Sequence, residues 1–174
     1  MTPRSAFFAR FLAAAILTLI VAMYSRAADL SVRVELNSGK AGPRSVEALT
    51  QRSIVRDYKF AWASLAQALE SNTTSPLNGL FAGNANELIN AEVKNQQRTG
   101  LISRYLHQNH NVEVVFYAPE GDMMQLHDTA DYDLQLLDGN KTIHQEHVTV
   151  RFVVLITPAA DRWVIRQLQS VPQF

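Results

Sequence analysis

The chain has 174 residues, of which 47% are hydrophobic and 18% charged, a composition typical of one folded globular domain. It contains no cysteine, which excludes disulfides, thiolate nucleophiles and cysteine-based metal sites. Three of the 16 basic side chains and none of the 16 acidic ones lie in the first 27 residues, so the remainder has a net charge of −3. A mildly acidic domain lacks the basic surface of nucleic-acid-binding proteins, and no nucleic-acid partner is expected.

Residues 1–27 have the three-part layout of a secretory signal. Arg4 and Arg10 precede an uncharged run over residues 11–24, and a small-residue cleavage site before Ala28 follows. The run is shorter than the roughly 20 apolar residues of a membrane span, which favours a cleaved signal peptide. Counting from residue 7 lengthens it, so a signal anchor retained over residues 7–24 is the alternative. Both interpretations predict an exported protein, periplasmic or extracellular, or one held in the inner membrane.

The segment over residues 28–44 predicts an extended arm and a linker. Residues 29–36 alternate between polar and apolar side chains, which favours a short strand or an extended arm. Residues 37–44 contain two glycines and a proline, which is typical of a linker. We therefore expect the α+β domain itself to occupy residues 45–174.

Two long helices are predicted next. Over residues 51–70 apolar side chains recur at three- and four-residue steps, the pattern of an amphipathic helix. A short helical turn around residues 77–81 follows. A second helix is predicted over residues 87–108, with a kink or break at Gly100, because glycine in a helix costs about 1 kcal/mol relative to alanine.

From residue 111 the apolar period changes to two, which predicts strands over residues 112–118, 123–137, 142–157 and 162–170. Helices followed by an antiparallel meander predict an α+β fold. We expect an N-terminal signal or anchor helix, then two to three helices packed on a curved four-stranded antiparallel sheet.

Residues 48–172 resemble the nuclear-transport-factor-two-like superfamily of cystatin-like α+β cones. The resemblance depends on the helix opening Arg56-Asp57-Tyr58 with Trp62, on the element order, and on the closing strand 162–166. It implies a cone of helices wrapped by a curved sheet. A membrane segment before one such domain is similar to the membrane-anchored branch, whose members act as interaction modules, and members of this fold often form homodimers through the open sheet face.

Asp128 is the most informative candidate for chemistry. The alternation of its strand places it on the apolar face, where an unpaired carboxylate is costly. One interpretation is a general acid or base in a pocket, with His127 or Tyr132 nearby. The alternatives are a bulge that turns Asp128 to solvent, or a carboxylate bonded to Arg166.

The ligand-binding candidates are Tyr58, Trp62, Trp163 and Arg166. Aromatic side chains such as the two tryptophans suit the wall of an apolar ligand cavity, and they suit a plain hydrophobic core at least as well. His107 and His110 are expected at the end of the second helix. No metal site is expected from His144 and His147, because positions three apart on a strand point to opposite faces. No cofactor motif is present in the sequence.

These observations favour an exported or membrane-anchored domain with a non-catalytic binding or assembly function. Its expected partner is a protein or a small apolar ligand, with the membrane as a further partner if the N-terminal segment is retained. The alternative is a ligand-binding protein, or an enzyme of the lyase or isomerase type, that uses the cavity of the cone.

Overall fold

A computed structural model describes residues 32–174, and the predicted signal or anchor lies outside these residues. The described chain contains five strands, two α-helices and one short 3₁₀ turn. In chain order they are β1 (Arg33–Asn37), α1 (Ala48–Ser71), the 3₁₀ turn (Ser75–Leu77), α2 (Gly83–Thr99), β2 (Leu101–Tyr117), β3 (Met124–Asp138), β4 (Lys141–Pro158) and β5 (Trp163–Val171).

The strands form one sheet in the order β1-β2-β3-β4-β5. β1 runs parallel to β2, with Arg33 opposite Asn109 and Asn37 opposite Glu113, whereas all other neighbours are antiparallel. The predicted α+β class is confirmed. The prediction of a four-stranded antiparallel sheet was wrong, because residues 33–37 pair with β2 and make the sheet five-stranded and mixed.

Gly100 separates α2 from β2, and the second helix ends there rather than at residue 108. Its backbone is left-handed, with φ of 73°, and its N–H donates to the Gln96 carbonyl at 2.8 Å. Only glycine adopts this conformation without strain, so it is a common helix terminator. The predicted break was right, but residues 101–108 were wrongly predicted as helix. Their apolar spacing also fits a helix, and the antiparallel pairing of Leu101 with Asp138 decides the structure.

Helix α1 lies in the concave side of the sheet and buries the stripe that the sequence predicts. Its buried apolar members include Ile54, Tyr58, Trp62, Leu65 and Leu69. They meet the inward side chains of β2, β3 and β4 in one hydrophobic core. Because the same face of the sheet also carries Asp128, the packing of α1 determines which groups surround that carboxylate.

Strand β2 contains an irregularity near its middle. The register with β3 shifts between Leu106 and Asn109, and His107 has a left-handed φ of 52°. Such a bulge adds a residue to one strand and increases the local twist, which curves the sheet. His107 and His110 therefore lie in a strand, not at the end of a helix as predicted.

Gln96 fixes α2 against the rest of the fold. Its side chain is buried, donates to the Leu69 carbonyl at 3.0 Å and accepts from the Ser103 N–H at 2.8 Å. One amide thus joins α1, α2 and β2. Over residues 32–174 neither α-helix combines the length and the hydropathy that a membrane crossing requires.

Candidate functional site

A buried hydrogen-bonded cluster lies between α1 and the sheet. The Tyr58 hydroxyl donates to Oδ2 of Asp128 at 2.7 Å, and Nδ1 of His110 lies 2.7 Å from the same oxygen. Asp128 is 0% exposed, His110 1% and Tyr58 3%. We call these three residues the buried triad. Burial, together with the neighbouring carboxylate, raises the pKa of the Tyr58 hydroxyl well above its ordinary value.

Three different elements position the buried triad. Tyr58 comes from the inward stripe of α1, and Asp128 and His110 come from the inward faces of β3 and β2. His110 lies opposite Ala130, two residues from Asp128 along β3 and on the same face. The alternation of β3 therefore predicted the side of the sheet on which Asp128 lies. His110 was missed because residues 101–108 were predicted as helix, which left its strand unrecognised.

Several buried polar atoms around the buried triad have no hydrogen-bond partner among residues 32–174. They are Oδ1 of Asp128, Nε2 of His110, Nε1 of Trp62 and both amide atoms of Gln108. Buried polar atoms are normally bonded, so a group of them in one place marks a polar region inside an otherwise apolar core. The polar region contains hydrogen-bond acceptors, such as Oδ1 of Asp128, and donors, such as the Nε2 amide group of Gln108.

Trp62 separates the buried triad from the outside. Its ring centroid lies 4.4 Å from that of His110 and 5.5 Å from that of Phe152. It is only 2% exposed, yet its other side lines a surface pocket. A molecule in that pocket would contact the indole ring and not the Asp128 carboxylate.

The pocket in front of Trp62 has a volume of about 250 Å³ and is open to solvent. Nine of its ten lining residues are aromatic or aliphatic, and Glu92 is the single residue with a formal charge. The lining residues are Trp62, Leu65, Leu69, Leu88, Ile89, Glu92, Tyr105, Tyr132, Phe152 and Leu168. Open, mostly apolar concavities with few polar groups are typical of binding sites.

Two stacked tyrosines form one wall of this pocket. The rings of Tyr105 and Tyr132 are 4.7 Å apart and nearly parallel. Burial, with Glu92 among the lesser causes, raises the pKa of Tyr105, and burial together with Glu146 raises that of Tyr132. The hydroxyls of both tyrosines therefore stay protonated at neutral pH.

A wider groove of about 650 Å³ continues from the pocket along α2 and β5. The groove and the pocket share Leu88, Phe152 and Leu168. Leu88 is 50% exposed and stands on the rim between them. The pocket and the groove thus form one continuous concave opening, apolar at the pocket and more polar toward Ser170.

The other predicted site residues lie away from the buried triad. His127 is on the outer face of β3, where its ring stacks on Phe174 at 4.3 Å. Arg166 donates to the Thr157 hydroxyl at 2.7 Å and is not bonded to Asp128. Of the ligand-binding candidates, Tyr58 and Trp62 lie together, whereas Trp163 and Arg166 lie on β5.

The charged pair before Tyr58 has a structural contact. Asp57 accepts from the Trp163 N–H at 2.8 Å and from Arg56 at 2.7 Å, which fixes the start of β5 to α1. The sequence Arg56-Asp57-Tyr58 with Trp62 therefore combines a sheet anchor, a triad member and the cover of the buried triad. The sequence analysis identified these four residues as a motif, but it did not predict the structural role of each residue.

A second cluster lies on the outer face of the sheet. His107 and His147 each place Nδ1 2.9 Å from a carboxylate oxygen of Asp133, and these contacts lower the pKa of Asp133. His144 points to the other face, 3.6 Å from Glu146. In the part of the chain that the structure describes, no group of three or more His, Cys, Asp or Glu side chains is arranged to hold a metal ion.

The comparisons with known proteins support the fold alone. No protein-family model and no curated protein sequence matches the chain. Among solved structures, the chain is similar to the crystal structure of the intermembrane space region of the chloroplast protein ARC6, with a TM-score of 0.55 and 16% identity. The match covers 74% of this chain and 98% of that one. The α+β architecture is therefore shared with a domain that lies between two membranes.

Proposed function

We propose that this chain is an exported binding domain, free or held at a membrane by its N-terminus, whose concave opening binds an apolar group of a partner protein or a small ligand. The observation that carries the proposal is the arrangement on the two sides of Trp62. The open side is an apolar, aromatic pocket, and the closed side holds the buried triad. A bound molecule meets the pocket and not the acid–base groups, which favours binding over catalysis.

Two further features support this proposal. The first 27 residues have the layout of an export signal or anchor. The fold is similar to a region whose name places it in an intermembrane space. A membrane-attached, non-catalytic domain of the nuclear-transport-factor-two-like type is consistent with both features.

A fluorescence titration tests the binding function directly. The chain has two tryptophans, so Trp163→Phe leaves Trp62 as the single emitter, in the pocket wall. The neutral apolar probe N-phenyl-1-naphthylamine should bind and quench Trp62 by energy transfer. Leu88→Arg places a charge on the rim and should weaken probe binding at least about tenfold, which corresponds to about 1.4 kcal/mol.

Leu49→Arg is the matched control for the rim variant. Leu49 is an exposed leucine on α1 that does not line the pocket, so its substitution should leave the probe affinity unchanged. Absence of quenching, or equal weakening by both variants, would overturn the proposed binding site. Equal free energies of unfolding for the two variants would establish that folding is not the cause of any difference.

A second candidate function is acid–base catalysis inside the cone, favoured by the hydrogen-bonded Tyr58, Asp128 and His110. It requires Trp62 to move, since that ring covers the buried triad. Replacement of Trp62 by the smaller Leu should then open the buried triad to the pocket, so that the affinity for the probe, followed by the emission of the probe itself, becomes sensitive to Asp128→Asn. If the buried triad takes no part in function, Asp128→Asn should leave the probe affinity unchanged with either residue at position 62.

A further inference from the structure

One edge of β4 is not paired with β5, and this edge is distinct from the concave opening. β4 has 18 residues and β5 only nine, and β5 pairs with β4 from Arg151 to Pro158. Residues 141–150 therefore have β3 on one side and, in the part of the chain that the structure describes, no strand on the other. Residues 141–147 are all exposed. Alternate residues of a strand direct their backbone N–H and C=O groups to opposite sides, so about half of these ten residues have free groups at this edge. The register with β3 shifts at Ile143, and the strand is regular from His144 onward.

The end of β5 explains why the edge stays free. Pro172 follows the strand directly and has no N–H to continue a ladder. Its carbonyl accepts from Arg151 at 3.1 Å, and Phe174 stacks on His127 on the outer face of the sheet. The C-terminus thus turns across the sheet and does not run along β4.

We propose that the free edge of β4 pairs with the same edge of a second copy of this chain, antiparallel and about a two-fold axis at Gln145. The axis is perpendicular to the sheet, so the two five-stranded sheets join into one and both concave openings face the same side. This proposal is independent of the binding function, because it uses neither the pocket nor Trp62.

The side chains of the edge are complementary to themselves in this register. On the concave side, His144 of each copy lies opposite Glu146 of the other, so two pairs of opposite polarity form. On the outer side, the Gln145 amides of the two copies meet at the axis, where each can donate and accept. Opposite-charge and amide pairs across neighbouring strands stabilise a sheet.

Two neighbouring antiparallel registers would also keep both concave openings on the same side, but they are less favourable. Moving the axis to Glu146 places the two carboxylates of that residue against each other. Moving it to His144 separates His144 from Glu146 of the other copy and removes both of these pairs. Like charges directly opposite each other destabilise a pair of strands, so the side chains favour the axis at Gln145.

Single cysteines test this register without ambiguity, because the natural chain has none. Directly opposite residues of an antiparallel pair have Cα atoms about 4.5–5.5 Å apart, within the range that a disulfide spans. Gln145→Cys in the full chain, oxidised in intact expressing cells, should give a disulfide-linked dimer. Thr142→Cys and Val148→Cys should not form dimers alone, since each lies more than about 10 Å from its own copy, beyond the span of a disulfide.

Co-expression sharpens the test on the regular side of Ile143, where the register of β4 with β3 shifts, because His144 of one copy lies opposite Glu146 of the other. A mixture of the His144→Cys and Glu146→Cys chains, carrying tags of different size, should give more of the mixed dimer than of either homodimer. Equal cross-linking of all three single-cysteine chains, or no cross-linking of Gln145→Cys, would overturn the proposal.

A charge exchange tests the pairs beside the axis. Glu146→Lys should lower the cross-linking of the Gln145→Cys chain by about tenfold, and the added change His144→Glu should restore it. Glu120→Lys is the matched control, because Glu120 is an exposed glutamate in the loop between β2 and β3. Loss of cross-linking with the control variant, or no recovery in the double exchange, would also contradict the register.

Discussion

The two ends of the inward face of the sheet differ in what covers them. Residues 124–130 of β3 place Met124, Leu126, Asp128 and Ala130 against the helices, and all four are 0% exposed. Farther along the same strand and face, Leu134 and Leu136 are only half-buried. We call the first region the sealed end. The open end consists of residues 134–138 of β3, residues 101–106 of β2 beside them, and residues 141–150 of β4.

The difference follows from the lengths of the elements. α1 has 24 residues, each rising about 1.5 Å, whereas β4 has 18 residues rising about 3.3 Å each, so the strands outrun the helix that covers them. The sealed end therefore contributes stability, and it contains the polar residues that the helix can enclose. The open end contributes less stability and presents the free edge of β4 to solvent.

The largest expected effect on stability comes from replacing a leucine of β3 at the sealed end, compared with a leucine on the same face at the open end. Leu126→Ala should lower the free energy of unfolding by about 4 kcal/mol, because a fully buried leucine leaves a cavity. Leu134→Ala should cost about 1 kcal/mol, since its half-exposed side chain transfers less surface. Urea unfolding followed by circular dichroism measures both, and equal losses would show that the two ends are not distinct.

The buried triad gives the next largest effect. Asp128→Ala removes the shared partner of Tyr58 and His110 and leaves two buried polar groups without it, so it should cost about 3 kcal/mol. Asp122→Ala, in the exposed loop between β2 and β3, is the control and should cost under about 0.5 kcal/mol. A loss below about 1 kcal/mol for Asp128→Ala would mean that the buried triad adds little to stability.

The sequence predicted the sealed end better than the open end, for a physical reason. The stripe of α1 and the alternation of β3 reflect burial on one face, and both were confirmed, including the inward position of Asp128. The partners of Asp128 come from elements 18 and 70 residues away along the chain, and periodicity carries no information about such pairings. The local pattern thus indicated a face but not a neighbour.

The open end was mispredicted where the local pattern fits two structures. Leu101, Ile102, Tyr105 and Leu106 have the spacing of a helix face, yet they form the first third of β2. The long-range pairing with β3 overrides that local preference. β1 was predicted as a short strand or an arm, and only the parallel pairing with β2 decides that it belongs to the sheet.

Alkaline pH tests the enclosure of the hydroxyl of Tyr58. Its pKa in the folded protein is raised, so its contribution to stability is complete below pH 10 and is lost as the pH rises above 10, where the unfolded chain ionises first. The loss should be about 1.4 kcal/mol per pH unit. Tyr58→Phe should make the decline of the free energy of unfolding between pH 10 and 11.5 shallower by that amount. Urea unfolding at several pH values measures this slope, and an unchanged slope would contradict the enclosure of the Tyr58 hydroxyl.

The smallest expected effect is at the junction where the open end of β2 begins. Gly100 has a left-handed φ, and a Cβ added there would meet no atom within 4 Å, so Gly100→Ala should cost only the backbone strain, about 1 kcal/mol. Gly100→Asn is the matched variant and should cost less, because asparagine adopts this conformation more readily. Circular dichroism of the Gly100→Ala variant shows whether the junction at residue 100 is needed to end α2. An unchanged spectrum with reduced stability would show that pairing with β3 holds residues 101–108 as a strand, whereas a gain in helix would show that Gly100 alone prevents α2 from continuing.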